Sequence, residues 1–271
     1  MSRHRLNRTL IRVTGADARP FLQNLLTQDL DRLSQAGVLY GALLSPQGKI
    51  IADMMIWDAA DGGVLLDIDA RRGDDVMRRL SMYKLRAQVA LEEVSDQHDV
   101  LVCETVFDGA QPDPRLPAIG WRAVTAKGAG ADGPNAASAY RERLMGLGVP
   151  DLAADAEIEE VFALEGLLEE LNGVAFHKGC FIGQENVSRM KRRATTRKKF
   201  CPIAFDGAPP PPGTPVLDGD SELGSVRASA PGRAIALLRL DRALEASNPL
   251  TAAGRPVRLD PPSWLRLPAD A

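Results

Sequence analysis

Four consecutive prolines at 209–212, in AFDGAPPPPGTPV, restrict this chain more than any other stretch. Proline has a fixed φ and no amide proton, so neither a helix interior nor a central strand can run through them. They mark a boundary between a long part of mixed pattern and a short C-terminal part. The short part contains LGSVRAS, GRAIALLRL and RPVRL, brief strands separated by glycine and proline. That is the pattern of a small all-β module, placed at residues 201–271.

Upstream, the period alternates between helix and strand. Residues 16–30 put Phe21, Leu22, Leu25 and Leu26 on one helical face. GVLYGALL, SPQGK and IIADMMIWD read as two apolar strands joined by a Pro/Gly turn. GGVLLDID is a third strand, and a helix follows at about 72–84 with Val76, Leu80 and Tyr83 on one side. AQVALEEV, VLVCETVF and WRAVTA add strands, and 108–120 is loop by composition. Helices are expected at about 138–146 and 156–170. The fold class is α+β, with antiparallel strands interrupted by helices. Subdomain limits fall at 1–105 and 106–200, ahead of the module.

The chain has 271 residues, 45% hydrophobic and 25% charged, a globular balance. No apolar run approaches the roughly 18 residues of a membrane span. The opening MSRHRLNRTLIRVTG lacks the apolar core of a secretory signal, so cytoplasm is the default expectation. Cys103, Cys180 and Cys201 are far apart and form no C-x-x-C. A disulfide framework, a zinc site or a permanently held cluster is therefore not expected. GAGADG at 128–133 matches G-x-G-x-x-G, but Pro134 follows and no βαβ alternation surrounds it, so it reads as loop.

The chemistry concentrates in 177-HKGCFIGQENVSRMKRR-193. Gly179 and Gly183 bracket Cys180, which indicates a turn, and IGQENVSRM suits a short helix. A thiol near a helix N-terminus and beside Lys178 gains thiolate character, because both favour the anion. The competing reading is a buried small apolar side chain, and spacing leaves both open. From Arg189 to Lys199 seven of eleven residues are basic; a chain of net charge −3 therefore sums to −10 elsewhere. Eight acidic residues lie in 151–170 with no basic one. Either two solvated faces neutralise one another, or the basic run holds an anion. A nucleic-acid stripe would interleave aromatics, and only Phe200 is near.

HKGCFIGQENVSRM resembles the K-G-C-[FY]-x-G-Q-E signature of the YgfZ-type folate-binding proteins, relatives of the glycine cleavage T-protein (aminomethyltransferase). Lys178, Gly179, Cys180, Phe181, Gly183, Gln184 and Glu185 fit it, and Arg189 falls at the family's arginine. RPFLQNLLTQDL is similar to the family's FLQ-x-LLT-x-D helix. SPQGKIIADMMIW is similar to its P-Q-G-[KR]-x-x-x-D hairpin, with Asp53 in the acidic position. MYKLRAQVAL and LNGVAF resemble its YKLR-x-x-V and G-[VI]-x-F segments. The likeness spans nearly the whole chain.

This resemblance implies a ring-like aminomethyltransferase-type fold with a small C-terminal β-barrel and a central hole for tetrahydrofolate, in polyglutamylated form. It implies an accessory role in assembling or repairing iron–sulfur clusters in client proteins met transiently. On that reading Cys180 is a reactive thiol and Lys178 stabilises its thiolate or holds an anion. Gly179 and Gly183 allow close backbone approach, and Gln184 and Glu185 orient the loop. Arg189, with Lys191 and Arg192, holds the folate's glutamate carboxylates. Asp53, Tyr83 and Arg86 line the pocket, unless Arg86 only pairs with Asp53. The transferases use a glutamate in an R-x-E-A-G-x-P segment to pair with the pterin; LMGLGVP here puts Gly146 at that position. Folate-dependent aminomethyl or one-carbon transfer is thus a rival reading, as is nucleic-acid binding by 189–199, and whether the chain is an enzyme stays open.

Overall fold

The computed structural model describes residues 3–59, 62–130, 136–193 and 196–268. The chain opens with β1 (His4–Leu6) and β2 (Arg8–Thr14), then helices α1 (Ala18–Leu25) and α2 (Leu33–Ala36). Strands β3 (Val38–Leu44), β4 (Ile50–Asp58) and β5 (Val64–Asp69) follow, then α3 (Gly73–Lys84), β6 (Ala90–Glu93) and β7 (His98–Cys103). Five of these strands form an antiparallel sheet in the order β3-β4-β5-β2-β6. The expected hairpin is present, and Gly48 closes its turn at φ 81°, a conformation that favours glycine.

Strand alternation gives the sheet two different faces. Met54, Ile56, Leu66 and Ile68 pack with Phe21, Leu22 and Leu25 of α1 and with Val76 and Leu80 of α3. Tyr40, Met55 and Trp57 point the other way, into a second apolar core. Asp53 shares the register of Met55 and Trp57, so the pleat carries its carboxylate away from the helices.

A second sheet, in the order β1-β7-β9-β8, adds β8 (Gln111–Pro112) and β9 (Trp121–Ala126). Its pairings join both sides of residue 105, because β1 and β9 flank β7. Helices α4 (Ala136–Leu147) and α5 (Leu152–Asp155) follow. The helix expected at 156–170 is absent; the segment is a series of turns. Its backbone groups go to the hairpin: Ile50 N–H donates to Val161 O, and Glu159 N–H to Ile50 O. Glu159 and Leu167 sit at φ 60° and 62°, which no right-handed helix accommodates. Apolar spacing favoured a helix, and tertiary pairing overrode it.

Helix α6 (Gln184–Arg192) begins at Gly183, φ 81°. A closed barrel completes the chain, from β10 (Lys198–Phe205), β11 (Pro215–Asp218), β12 (Ser221–Ala230), β13 (Arg233–Arg239), β14 (Leu250–Ala252) and β15 (Arg255–Leu259). Helix α7 (Leu240–Leu244) links β13 to β14. The four prolines are a connection inside this barrel, between β10 and β11, and do not separate it from the rest. Gly213 N–H donates to Val226 O, fastening the connection to β12. No described helix is long and apolar enough to cross a membrane.

Candidate functional site

A cavity of about 390 Å³ opens where the two sheets meet α4. Its walls come from Leu6 to Arg8, Tyr40, Asp53 to Met55, Asp69, Arg71, Arg115, Arg122, Ser138, Tyr140, Arg141, Leu144 and the 150–153 segment. Five arginines therefore face one space. Each is anchored. Arg8 and Arg122 both bond Asp67, at 2.5 and 2.6 Å. Arg115 is paired with Asp113 at 2.8 Å, and Arg115 and Arg122 both donate to the Tyr140 hydroxyl. Arg71 bridges Asp69 and Asp151, while Arg141 bridges Asp151 and Asp155. Buried charges survive only when paired in this way. Despite its burial, Asp67 is held below the usual carboxylate range by Arg8 and Arg122.

Asp53 differs from the other carboxylates in this space. Its hydrogen-bond partner is a hydroxyl, Tyr40 Oη–H donating to Oδ2 at 3.0 Å. Among the described residues it has no ion pair. Burial pushes its carboxyl above the ordinary aspartate value, and Arg8 and Arg115 pull the other way. Burial, reinforced by the neighbouring Asp53, raises Tyr40 well above its usual value. Asp53 thus keeps lone pairs for a ligand's N–H groups, between the apolar walls of Met55 and Leu144 and the arginine side. The set suits a flat, N–H-donating ring joined to a carboxylate-bearing tail.

The cysteine loop lies elsewhere, against the C-terminal end of α1. Lys178 is buried, and its ammonium donates to the carbonyls of Gln23, Leu26 and Gln28 at 2.6, 2.8 and 2.7 Å. Carbonyls at a helix C-terminus lack helical partners and carry partial negative charge, so a cation is well placed there. Burial lowers the Lys178 pKa to about 8, with Asp29 and Asp31 pulling upward. Its ammonium has three protons and all three are used. The expected role for Lys178, stabilising the Cys180 thiolate or holding an anion, is corrected accordingly: it clamps the loop.

Ile182 N–H donates to Asn24 O, and Gly183 lies on the hairpin turn, where a Cβ would meet Ser45 O at 2.6 Å. Asn186 reaches the same turn through Gln47 O at 2.7 Å. Gly183 therefore serves packing, whereas a Cβ on Gly179 would meet nothing within 4 Å. Gln184 N–H donates to Phe181 O in the first turn of α6, and Glu185 is exposed. Between these anchors Cys180 is exposed, while Cys103 and Cys201 are buried.

The structure does not bring all the expected residues together. Of Asp53, Tyr83, Arg86 and Arg189, only Asp53 lines the cavity. Tyr83 packs on the helix side of the first sheet, and Arg86 is exposed beyond α3. The alternative for Arg86 also fails, since Asp53 takes its hydrogen bond from Tyr40. Gly146 is exposed at the end of α4 and is not in the cavity wall. The basic run is outside it too: Lys191 sits 3.5 Å from the Phe176 ring centroid and 3.0 Å from Glu169, and Lys199 is buried on Glu170. The cavity arginines escaped sequence reading because they are scattered from 8 to 141 with no motif of their own.

Known proteins share this architecture. The family model of the GCVT N-terminal domain matches residues 7–103, and that of the CAF17 C-terminal β-barrel domain matches 197–267. The mitochondrial iron–sulfur cluster assembly factor IBA57 of Homo sapiens is 30% identical over 267 residues, covering 85% of this chain and 75% of its own. The homologue from Mycosarcoma maydis is 30% identical over 232 residues, covering 76% and 58%. This chain spans 54% of the Neurospora crassa relative and 61% of the Coccidioides immitis one. The glycine cleavage system aminomethyltransferase T from Bartonella henselae superposes with a TM-score of 0.71 at 16% identity, over 97% of this chain and 86% of that one. That likeness shows the fold. The expectation of a cytoplasmic location does not stand, since these assembly-factor relatives are mitochondrial by name.

Proposed function

The chain belongs to the IBA57 family of iron–sulfur cluster assembly factors, and from that premise we propose that it serves the assembly or repair of clusters in client proteins through Cys180. The observation that carries this reading is the placement of the three cysteines. Cys180 alone among them is exposed, and its loop is fixed by a buried lysine clamp that has no other evident purpose. Burial pushes the Cys201 thiol up to about 12, which leaves it inert.

In the same proposal the arginine-lined cavity holds a tetrahydrofolate. Asp53 accepts from the N–H edge of the pterin, Met55 and Leu144 flank the ring, and Arg71 and Arg141 face the glutamate carboxylates. Bound there, the folate would supply a one-carbon carrier or a sensed ligand. The chain's own residues bind and orient it. Gly146 cannot supply the pterin-pairing carboxylate of the transferases, which favours the assembly role over aminomethyl transfer.

The assembly role is tested in cells from which the gene is deleted. Activities of cluster-dependent enzymes should fall, those of cluster-free enzymes should hold, and re-expression should restore the first group. Equal activities with and without the chain would remove this reading. The folate half is tested by calorimetry with tetrahydrofolate polyglutamates, where affinity should weaken as salt rises. No heat of binding would leave a factor that works through its thiol alone.

A further inference from the structure

The basic run separates into two sets. Lys199 is buried and neutralised by Glu170, while Lys191, though exposed, is paired with Glu169 and lies over the Phe176 ring. Arg189, Arg192 and Arg193 are exposed and, among the described residues, have no ion pair; Arg189 bonds only Asn186, at 2.5 Å. Residues three and four apart share a helix face, so Arg189 and Arg192 of α6, with Arg193 at its C-cap, form one outward patch opposite buried Val187. Glu185 is the acidic residue on that face. The patch begins nine residues after the exposed thiol, on the helix that follows its loop. It is a local excess of positive charge on a chain whose net charge is −3.

We propose that this face of α6 is the docking surface for an acidic protein partner, and that docking delivers a group of that partner to Cys180. The proposal rests on the client-protein reading above and adds where the client binds and what surface it presents. Unpaired arginines next to a reactive group steer an oppositely charged partner and set its register. A nucleic acid fits the same face less well. Base stacking needs exposed aromatic rings, and here Phe200 is fully buried while the Phe176 ring is covered by Lys191.

The test uses the full chain and three peptides of equal length, acidic, neutral and basic, each with one cysteine activated as an aromatic disulfide. The Cys180 sulfur attacks the disulfide, a mixed disulfide with the peptide forms, and the aromatic thiol leaves with the electron pair. The acidic peptide should react about tenfold faster than the neutral one at low salt, with the gap closing toward about 1 M, where screening is nearly complete. In R189E/R192E/R193E, and to a lesser degree in the three-glutamine variant, the preference should vanish or invert. The rate with small neutral 2,2′-dithiodipyridine should stay unchanged, showing the thiol intact. Equal rates for all three peptides in the unmodified chain would overturn the proposal. So would tighter binding of a single-stranded DNA oligonucleotide than of the acidic peptide. Restoration of cluster enzymes by Cys180→Ser would instead defeat the client reading while leaving the charge preference measurable.

Discussion

At the scale of single residues, Lys178 and Cys180 divide the work of one motif. The lysine is structural and buried, and the cysteine is presented to solvent. Lys178→Met should be destabilising by about 2–4 kcal/mol in denaturant unfolding, because three buried carbonyls lose a charged donor. The motif could be read in the sequence, but the role of its lysine could not. Its acceptors lie some 150 residues upstream, and only the folded chain brings them within reach. A second residue carries a pH signature. Burial raises the Asp155 carboxyl to about 6, with Arg141 opposing the shift. The folded chain therefore binds this proton more tightly than the unfolded chain. Its contribution is full below the unfolded pKa near 4 and is lost as pH rises through about 6, worth at most about 3 kcal/mol. Compared by unfolding at about pH 3.5 and 7, values that bracket the shift of about two units, Asp155→Asn should lack that decline.

At the scale of elements, α6 and the hairpin turn fix the cysteine loop together. Gly183→Ala forces a left-handed residue with a Cβ against Ser45 O, and should lower stability by at least about 1–2 kcal/mol. Gly179→Ala meets open space and should leave unfolding nearly unchanged. Melting curves of the two variants separate packing from access to the thiol. The strands of the first sheet could be read from alternation and turn chemistry, since β3 and β4 carry a strong apolar run around SPQGK. The 156–170 segment could not. Leu164, Leu167, Leu168 and Leu171 have helical spacing, yet all four are buried against the second core by turns. Periodicity reports which residues go inside, and it did so correctly there while misreporting the backbone.

At the scale of the whole molecule, the cavity and the thiol are separate sites on one scaffold. The cavity is composite: β2 and β4 bring Arg8 and Asp53, β9 brings Arg122, and α4 brings Tyr140 and Arg141. Asp53 could be read in the sequence because it sits in a motif. The arginines could not, since their grouping exists only in three dimensions. Asp53→Asn keeps size and burial but replaces an acceptor oxygen with a donor. It should weaken tetrahydrofolate binding at least about tenfold by calorimetry, with unfolding little changed.

The central claim is that Cys180 is the working group of an assembly factor. It is tested most directly by expressing Cys180→Ser, a one-atom change at an exposed site, in cells lacking the chain and assaying cluster-dependent enzymes. The account expects a protein as stable and as abundant as the original that leaves those activities at the level of the deletion. Restoration to the level of the unmodified chain would contradict it.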